Sequence, residues 1–188
     1  MSPWRPGQRR PDTASMVRVD QAGEYGATRI YAGQLAVLRR NSSAAKLITR
    51  MADQEQRHLD RFNALMAERG IRPTALQPIW NMAGFALGAA TALMSEKAAM
   101  ACTEAVETEI DLHYGKQLED LGEEDAELAT DIRQFRTEEL EHRDVARDAG
   151  AAQAVGYPLL TMAIRAGCRI AIGLSKRIRG TEEWVCPL

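Results

Sequence analysis

Hydrophobic residues recur along the chain at intervals of three and four, the spacing that places them on one face of an α-helix. This period predicts helices over residues 15–40, over 44–68, from the middle of the chain to 121, over 123–150 and over 159–179. Residues that commonly end or cap helices separate these segments: Asn41, Gly70, Pro73, Gly122 and Gly156. The pattern therefore predicts an all-α protein.

The second and fourth predicted helices carry the same unusual stripe. Each has an apolar face that is interrupted near its middle by a glutamate and, three residues later, by a histidine. The two stripes are Leu47, Met51, Glu55, His58, Phe62, Leu65 and Leu128, Ile132, Phe135, Glu139, His142, Ala146. A carboxylate and an imidazole that face the core of a helix bundle are costly unless a partner satisfies them. A bound metal ion is one such partner.

The first and third predicted helices each place one glutamate in the middle of a stripe. These stripes are Val17, Glu24, Tyr31, Leu38 and Met100, Glu107, Tyr114, Leu121. In each half of the chain, the single glutamate precedes the glutamate of Glu-x-x-His by 31 or 32 residues. At a rise of about 1.5 Å per residue, an antiparallel hairpin of this length returns both residues to a similar height. The pattern therefore predicts four glutamates and two histidines at one level of a bundle.

One glutamate from each of two helices, with Glu-x-x-His from each of the other two, is the ligand set of ferritin-like di-iron and di-manganese bundles. Carboxylates can bridge two ions, and an imidazole suits iron. A single Glu-x-x-His is usually a solvent-exposed pair, but two copies that use two of only three histidines are far more specific. The predicted fold is a ferritin-like four-helix bundle with additional apolar crossover and C-terminal helices. The predicted metal ligands are Glu24, Glu55, His58, Glu107, Glu139 and His142.

Four nearby residues have more than one interpretation. Glu138 also lies on the fourth-helix face, but the next residue is preferred as the ligand because it repeats the spacing of the second helix. Glu104 and Asp111 either orient the ligands or are ordinary surface acids of the helix. His113 lies off the central stripe, which favours an exposed or outer role over metal ligation.

Tyr31 and Tyr114 lie two turns from the single glutamates of the first and third helices. Most buried tyrosines are core residues whose hydroxyl has a hydrogen-bond partner. The alternative is a catalytic role for Tyr114, through a hydrogen bond to the substrate or through the transfer of an electron. Replacement of Tyr114 by phenylalanine distinguishes these interpretations.

Charge and cysteine content argue against several other functions. The 188 residues carry a net charge of -2 with a pI of about 6.0, which gives no reason to expect nucleic acid as a partner. The three cysteines are odd in number and far apart, so a disulfide framework or a zinc–thiolate site is not expected. Prolines and arginines predict a disordered basic arm over 1–14, followed by one domain over 15–179 and a tail over 180–188.

Two apolar segments outside the four-helix pattern point towards a membrane. Residues 74–95 contain no charged side chain, which predicts a crossover segment that packs on the bundle or reaches into a bilayer. A plain buried crossover helix is the alternative. The last predicted helix combines apolar bulk with arginine and lysine, as interfacial helices on anionic lipid do. A basic cap over the end of the bundle is the alternative. Together the segments indicate a peripheral membrane protein with a lipid-soluble substrate.

Several short segments resemble the demethoxyubiquinone hydroxylases of ubiquinone biosynthesis. They are VRVDQAGEYGA at 17–27, RIYAGQ at 29–34, DQEQRH at 53–58, ACTEAVE at 101–107 and EELEH at 138–142. The likeness runs from about residue 17 to residue 178 and is most distinctive around Glu24. It implies that the six ligands of the stripes hold two iron ions, with Glu55 and Glu139 as the bridging carboxylates.

The resemblance also implies the reaction and its setting. Such an enzyme hydroxylates the ring of a polyprenyl demethoxy-benzoquinol with O2, in the penultimate step to ubiquinone. NADH is the implied reductant, although the chain has no GxGxxG fingerprint and its nucleotide site stays unassigned. Some members work with a lipid-binding accessory protein. The expected location is the cytoplasmic face of a bacterial cell membrane, because a clear transit peptide is absent; the alternative is the matrix side of the mitochondrial inner membrane.

Two other functions compete with this interpretation. The same ligands suit an iron-oxidising or peroxide-handling protein of the ferritin or rubrerythrin type. Such a protein has no need of bilayer-facing segments, and rubredoxin-type cysteine pairs are absent from the sequence. The second competitor is a non-enzymatic bundle whose central glutamates and histidines simply pair with one another, and metal content separates it from the others. The sequence leaves the oligomeric state open, including a homo-oligomer.

Overall fold

The computed structural model describes residues 11–178, and this part of the chain contains α-helices, one short 3-10 helix and no β-strand. The helices are α1 (Thr13–Val37), α2 (Ser43–Glu68), α3 (Gln77–Met94), α4 (Glu96–Leu121), α5 (Ala126–Asp148) and α6 (Tyr157–Arg177). The all-α prediction is confirmed. Residues 1–10 of the predicted arm and the whole predicted tail, 180–188, lie outside the described residues, so the predicted domain boundaries stay predictions.

Side-chain caps set where four of these helices begin. Asp12, Ser42, Ser95 and Asp125 each accept a hydrogen bond from the backbone N–H three residues further on. Each cap satisfies a donor that the first helical turn leaves unpaired. Because of the Asp125 cap, α5 begins at 126 and not at the predicted 123. The first helix ends at 37 and not at the predicted 40, because the backbone of Leu38 is extended.

Two hairpins, α1–α2 and α4–α5, form a four-helix bundle whose core has two apolar layers. One layer contains Ile48 and Met100, and the other contains Phe62 and Leu128. These four side chains are at most 1% exposed. The layers close both ends of the bundle to water, and the stretch between them holds the polar side chains of the stripes.

The crossover helix α3 packs directly on the backbone of α1 and leaves much of its apolar surface outside. A Cβ on Gly33 would lie 2.1 Å from the carbonyl oxygen of Phe85, and a Cβ on Gly88 would lie 1.9 Å from that of Ile30. Only small residues permit such an approach. Four of the 18 residues of α3 are buried, whereas Met82 is 76% exposed. The alternative of a plain buried crossover helix is therefore wrong.

The last helix, α6, lies on the same side of the bundle and is held there by polar contacts. The Glu109 carboxylate of α4 accepts hydrogen bonds from Arg165 at 2.5 Å and from Arg169 at 2.8 and 2.9 Å. Trp80 of α3 donates to Ser175 of α6 at 3.2 Å. By length and composition α6 could cross a membrane, and only 11% of the apolar stretch is buried. Both α3 and α6 therefore present apolar side chains outwards.

Candidate di-metal centre

The six predicted ligands come together in the middle of the bundle, between its two apolar layers. Each bundle helix contributes at least one of them: Glu24 from α1, Glu55 and His58 from α2, Glu107 from α4, Glu139 and His142 from α5. All six are at most 2% exposed. They meet because each lies near the middle of its helix, on the face that the stripe defines.

The potential ligand atoms fall into two overlapping groups. One group is Glu24, Glu55, His58 and Glu139; the other is Glu55, Glu107, Glu139 and His142. Within each group the ligand atoms lie within 4.8 Å of one another. Glu55 and Glu139 belong to both groups. This arrangement suits two adjacent metal ions that share two carboxylates, with one further glutamate and one histidine for each ion.

Several ligand atoms have no hydrogen-bond partner within residues 11–178. They are both carboxylate oxygens of Glu55, one oxygen of each of the other three glutamates, and Nδ1 of His58. Buried polar atoms are normally paired, so unpaired atoms that converge on one place need a common partner. Some of these atoms lie at ion-pair distance from another ligand atom without forming a hydrogen bond: His58 Nδ1 is 3.0 Å from an oxygen of Glu139, and an oxygen of Glu55 is 3.1 Å from His142 Nδ1. The residues present therefore fit two metal ions.

Burial makes four carboxylates in this volume costly. Burial, reinforced by the neighbouring carboxylates, raises the pKa of Glu55 and of Glu107 well above its usual range. Burial opposes ionisation of Glu139 too, but His142 and His58 outweigh it and lower its pKa to about 2. Such a cluster attracts cations, and two divalent ions carry the positive charge that four carboxylates require.

A matching pair of tyrosines holds the two unshared glutamates. Tyr31 donates to an oxygen of Glu107 at 2.6 Å, and Tyr114 donates to an oxygen of Glu24. Both phenols are 1% exposed. Burial, and then the adjacent glutamate, raises the pKa of each phenol well above its usual range, so each remains a protonated donor. Each hydroxyl therefore has a hydrogen-bond partner, as expected of a buried tyrosine.

The outer nitrogen of each histidine meets a side chain of the opposite hairpin. His58 Nε2 lies 3.0 Å from Oε2 of Glu138, and His142 Nε2 lies 3.0 Å from Oε1 of Gln54. Glu138 therefore lies behind a predicted ligand, outside the two groups. Sequence reasoning missed Gln54, although a signal was present. Gln54 and Glu138 each stand four residues before a histidine and directly before a glutamate that belongs to both groups.

The remaining polar residues named from the sequence lie away from the ligand groups. Glu104 accepts hydrogen bonds from Arg147 and from a tyrosine of α6, and Asp111 accepts one from an arginine of α5. Both acids therefore connect helices and do not orient the ligands. His113 Nε2 lies 3.1 Å from Asp20, which agrees with the expected outer role.

The chain matches proteins of known activity over nearly its whole described length. Residues 11–175 match the family model described as Ubiquinone biosynthesis protein COQ7. The chain is 52% identical over 172 residues to the 3-demethoxyubiquinol 3-hydroxylase of Rhodospirillum rubrum, which covers 89% of this chain and 81% of that protein. It is 53% identical over 167 residues to the mitochondrial NADPH-dependent 3-demethoxyubiquinone 3-hydroxylase of Homo sapiens, covering 87% and 76% respectively.

A more distant relative gives the same result. The chain is 44% identical over 179 residues to the mitochondrial 5-demethoxyubiquinone hydroxylase of Saccharomyces cerevisiae, covering 87% of this chain and 77% of that protein. The family match contains all four bundle helices, α3 and most of α6. The resemblance found in the short sequence segments is confirmed, and the chain belongs to the COQ7 family of ubiquinone biosynthesis proteins.

Proposed function

We propose that this protein is a di-iron monooxygenase that hydroxylates the ring of a polyprenyl 3-methyl-6-methoxy-1,4-benzoquinol, the penultimate step of ubiquinone biosynthesis. One observation carries the proposal: two buried groups of ligand atoms share Glu55 and Glu139 and lie beneath two helices with exposed apolar faces. The names of the relatives supply the substrate class. Hydroxylation of a quinol ring needs O2 activation, and adjacent iron ions supply that chemistry when bound.

The side chains divide the work of holding two iron ions. Glu24 and His58 would hold one ion, Glu107 and His142 would hold the other, and Glu55 and Glu139, which belong to both groups, would be shared between them. Tyr31 and Tyr114 fix the two unshared glutamates from behind. The apolar layers above and below keep bulk water from the reacting atoms.

A third apolar cluster packs between the outer helices and the centre. It includes Ile164 of α6, Leu87 of α3 and Val106 of α4. Val106 directly precedes Glu107, a predicted ligand. The quinol ring would approach the centre through this cluster, while its polyprenyl tail would stay against the apolar faces of α3 and α6. A lipid-soluble substrate thereby reaches a buried site without crossing water.

The first test is turnover of the iron-loaded protein. Fe(II) is added without oxygen, followed by a short-tailed demethoxyubiquinone and either NADH, as the family resemblance implies, or NADPH, as the name of the human relative states. Oxygen is then admitted, and mass spectrometry detects the hydroxylated ring. We expect product from the wild type and from Glu141→Ala, an exposed site on α5, and none from Glu139→Ala. Iron oxidation without product under either reductant would favour the ferritin or rubrerythrin type, and absence of bound iron would favour the non-enzymatic bundle.

The outward apolar faces support a peripheral position on a membrane. Met82 of α3 and Met162 of α6 are 76% and 62% exposed, and Lys176 and Arg177 end α6. The polar contacts of α6 with Glu109 favour a helix that lies in the plane of the lipid headgroups, because a membrane-spanning helix would have to abandon them. The membrane face depends on the organism: it is the cytoplasmic face of the cell membrane in a bacterium, or the matrix side of the inner membrane in a mitochondrion. A lipid-binding accessory protein and a homo-oligomer stay predictions.

Membrane binding is expected to depend on the exposed methionines. Met82→Asp and Met162→Asp should each weaken binding to vesicles that contain anionic lipid by about tenfold or more, since each removes an exposed apolar side chain that would insert into the lipid and adds a charge of the same sign as the headgroups. Ala64→Asp, on the exposed face of α2, adds the same charge away from these helices and should have little effect. Co-sedimentation with vesicles measures all three. Equal binding by the wild type and both methionine variants would place the membrane contact elsewhere.

Removal of the Tyr114 hydroxyl is expected to slow turnover. Tyr114→Phe leaves an oxygen of Glu24 without its donor, and loss of such an outer hydrogen bond typically costs about 10- to 100-fold in metal affinity or activity. Tyr31→Phe removes the matching bond to Glu107 and serves as the comparison. Similar losses in kcat and iron affinity indicate that both tyrosines position ligands. A loss of kcat confined to Tyr114→Phe, at unchanged iron affinity, indicates a direct role in the reaction, and unchanged turnover excludes one.

A further inference from the structure

The candidate centre has an approximate twofold symmetry in its chemistry. The glutamates pair as Glu24 with Glu107 and as Glu55 with Glu139, the histidines pair with each other, and so do the tyrosines behind the unshared glutamates. Each histidine turns Nδ1 inwards and Nε2 outwards. If the surroundings obeyed the same symmetry, the two metal positions would be equivalent.

The symmetry fails at the side chains that face the outer nitrogens of the histidines. His58 Nε2 meets a carboxylate oxygen of Glu138, whereas His142 Nε2 meets the amide oxygen of Gln54, both at 3.0 Å. The two positions correspond, because each lies four residues before a histidine. Glu138 also accepts a hydrogen bond from the Gln54 amide nitrogen at 3.4 Å, which leaves the amide oxygen facing His142. One position therefore has an anionic outer acceptor and the other has a neutral one.

A second difference between the two metal positions also adds an acidic side chain near Glu24 and His58. Asp20 precedes Glu24 by four residues and is 2% exposed, with hydrogen bonds to Gln117 at 3.0 Å and His113 at 3.1 Å. The corresponding residue, four before Glu107, is the buried Thr103. The Glu24–His58 side therefore has two acidic side chains where the Glu107–His142 side has an amide and a hydroxyl.

We propose that Glu138 makes the two metal positions unequal, so that the Glu24–His58 position binds iron first and more tightly. This inference rests on the proposed di-iron function. A carboxylate that accepts the Nε2–H bond makes the imidazole a stronger donor to its metal, and an amide oxygen does so less. Arg57, whose guanidinium lies 3.8 Å from Glu138 but is largely exposed, offsets this negative charge only in part, and the remainder also attracts a cation directly. Glu138 is thus a positioning residue that sets the order of loading.

An anaerobic titration with Fe(II), followed by calorimetry, tests this order. The wild type should show two steps of unequal affinity. Glu138→Gln gives both histidines an amide partner, and we expect it to weaken the first step by about 10- to 100-fold and bring it close to the second. Gln54→Glu gives both a carboxylate and should tighten the second step. Glu141→Gln, which removes an exposed charge from the same helix, is the matched control and should leave both steps unchanged.

Mössbauer spectroscopy supplies a readout that is independent of activity. With a limiting amount of the Mössbauer isotope followed by ordinary iron, one quadrupole doublet should dominate in the wild type, and two should appear in Glu138→Gln. Two equal binding steps in the wild type, or a first step that survives Glu138→Gln in a folded variant, would overturn the proposal. Failure of the proposed function would look different, as fewer than two bound irons or as two bound irons without hydroxylation.

Discussion

Replacement of Glu55 by glutamine is expected to abolish stoichiometric iron binding and, with it, ring hydroxylation. Glu55 belongs to both ligand groups, and both its oxygens lack a hydrogen bond within residues 11–178. Glutamine has the same shape but is neutral, and its amide nitrogen cannot ligate a metal. Because changes behind a ligand already cost about 10- to 100-fold, the loss of a bridging ligand should exceed 100-fold. Iron content and product formation measure the two effects.

The same substitution should leave the metal-free fold at least as stable as before. Burial, with the carboxylates of Glu139 and Glu24, raises the pKa of Glu55 well above its usual range, so the metal-free site favours the uncharged form of this group. Glutamine is a permanent neutral replacement. Thermal unfolding should therefore show an unchanged or higher Tm without iron, and a gain on iron loading for the wild type only.

The control for this experiment is Glu141→Gln, an exposed change on α5 that should retain iron and activity. Two irons bound to Glu55→Gln with wild-type affinity would show that Glu55 is not a bridge. A large fall in the Tm of the metal-free variant would show instead that Glu55 has a structural partner. The two failures are separable because one is read from metal content and the other from unfolding.

The arrangement of the candidate centre was predictable from two regularities of the sequence, the helical period of each stripe and the nearly equal ligand spacing in the two halves of the chain. A helical stripe fixes the face on which each glutamate and histidine lies, and the separations of 31 and 32 residues fix their height. These are local rules that need no knowledge of tertiary contacts. Helix ends were less predictable, since the end of α1 at 37 depends on the extended backbone of one residue, Leu38.

The outer partners of the histidines escaped prediction for a physical reason. Glu138 and Glu139 are adjacent, so their side chains leave the helix about 100° apart, and the sequence alone lets either one face the cluster. Which one enters the cluster and which one supports His58 across the helix interface depends on how α5 rotates against α2. The same holds for Gln54, whose role is set by a contact 88 residues away in the chain.

The exposure of α3 could not be predicted from the sequence for a different reason. Its sequence is apolar on all sides, and such a helix can be buried in a protein or exposed to lipid. The glycines decide the outcome, because Gly84 and Gly88 form a surface flat enough to meet the α1 backbone, which leaves the larger side chains outside. Recognition of this surface required knowing that Gly33 on α1 lies opposite.

The close contact of α1 with α3 leads to the second large expected effect. Gly33→Ala places a Cβ 2.1 Å from the Phe85 carbonyl oxygen and 2.8 Å from the Ala89 nitrogen, and both atoms belong to backbone that cannot rotate away. The helices must separate, which should cost about 3 kcal/mol of unfolding free energy. For a chain of this size that corresponds to a fall in Tm of roughly 6–12 °C. Gly88→Ala, with its Cβ 1.9 Å from the Ile30 oxygen, should behave in the same way.

A third glycine provides a control of opposite sign. Gly23 is an exposed residue in the interior of α1, and a Cβ there would meet nothing within 4 Å. Gly23→Ala should therefore raise the unfolding free energy by about 0.5 to 1 kcal/mol, since alanine loses less conformational freedom in a helix. Thermal unfolding of the three variants separates the effect of the α1–α3 backbone contact on stability from the general effect of a Gly→Ala change in a helix. If Gly33→Ala and Gly88→Ala stabilised the protein as Gly23→Ala does, α3 would not rest on the α1 backbone, and the outward position of its apolar side chains would lose its structural cause.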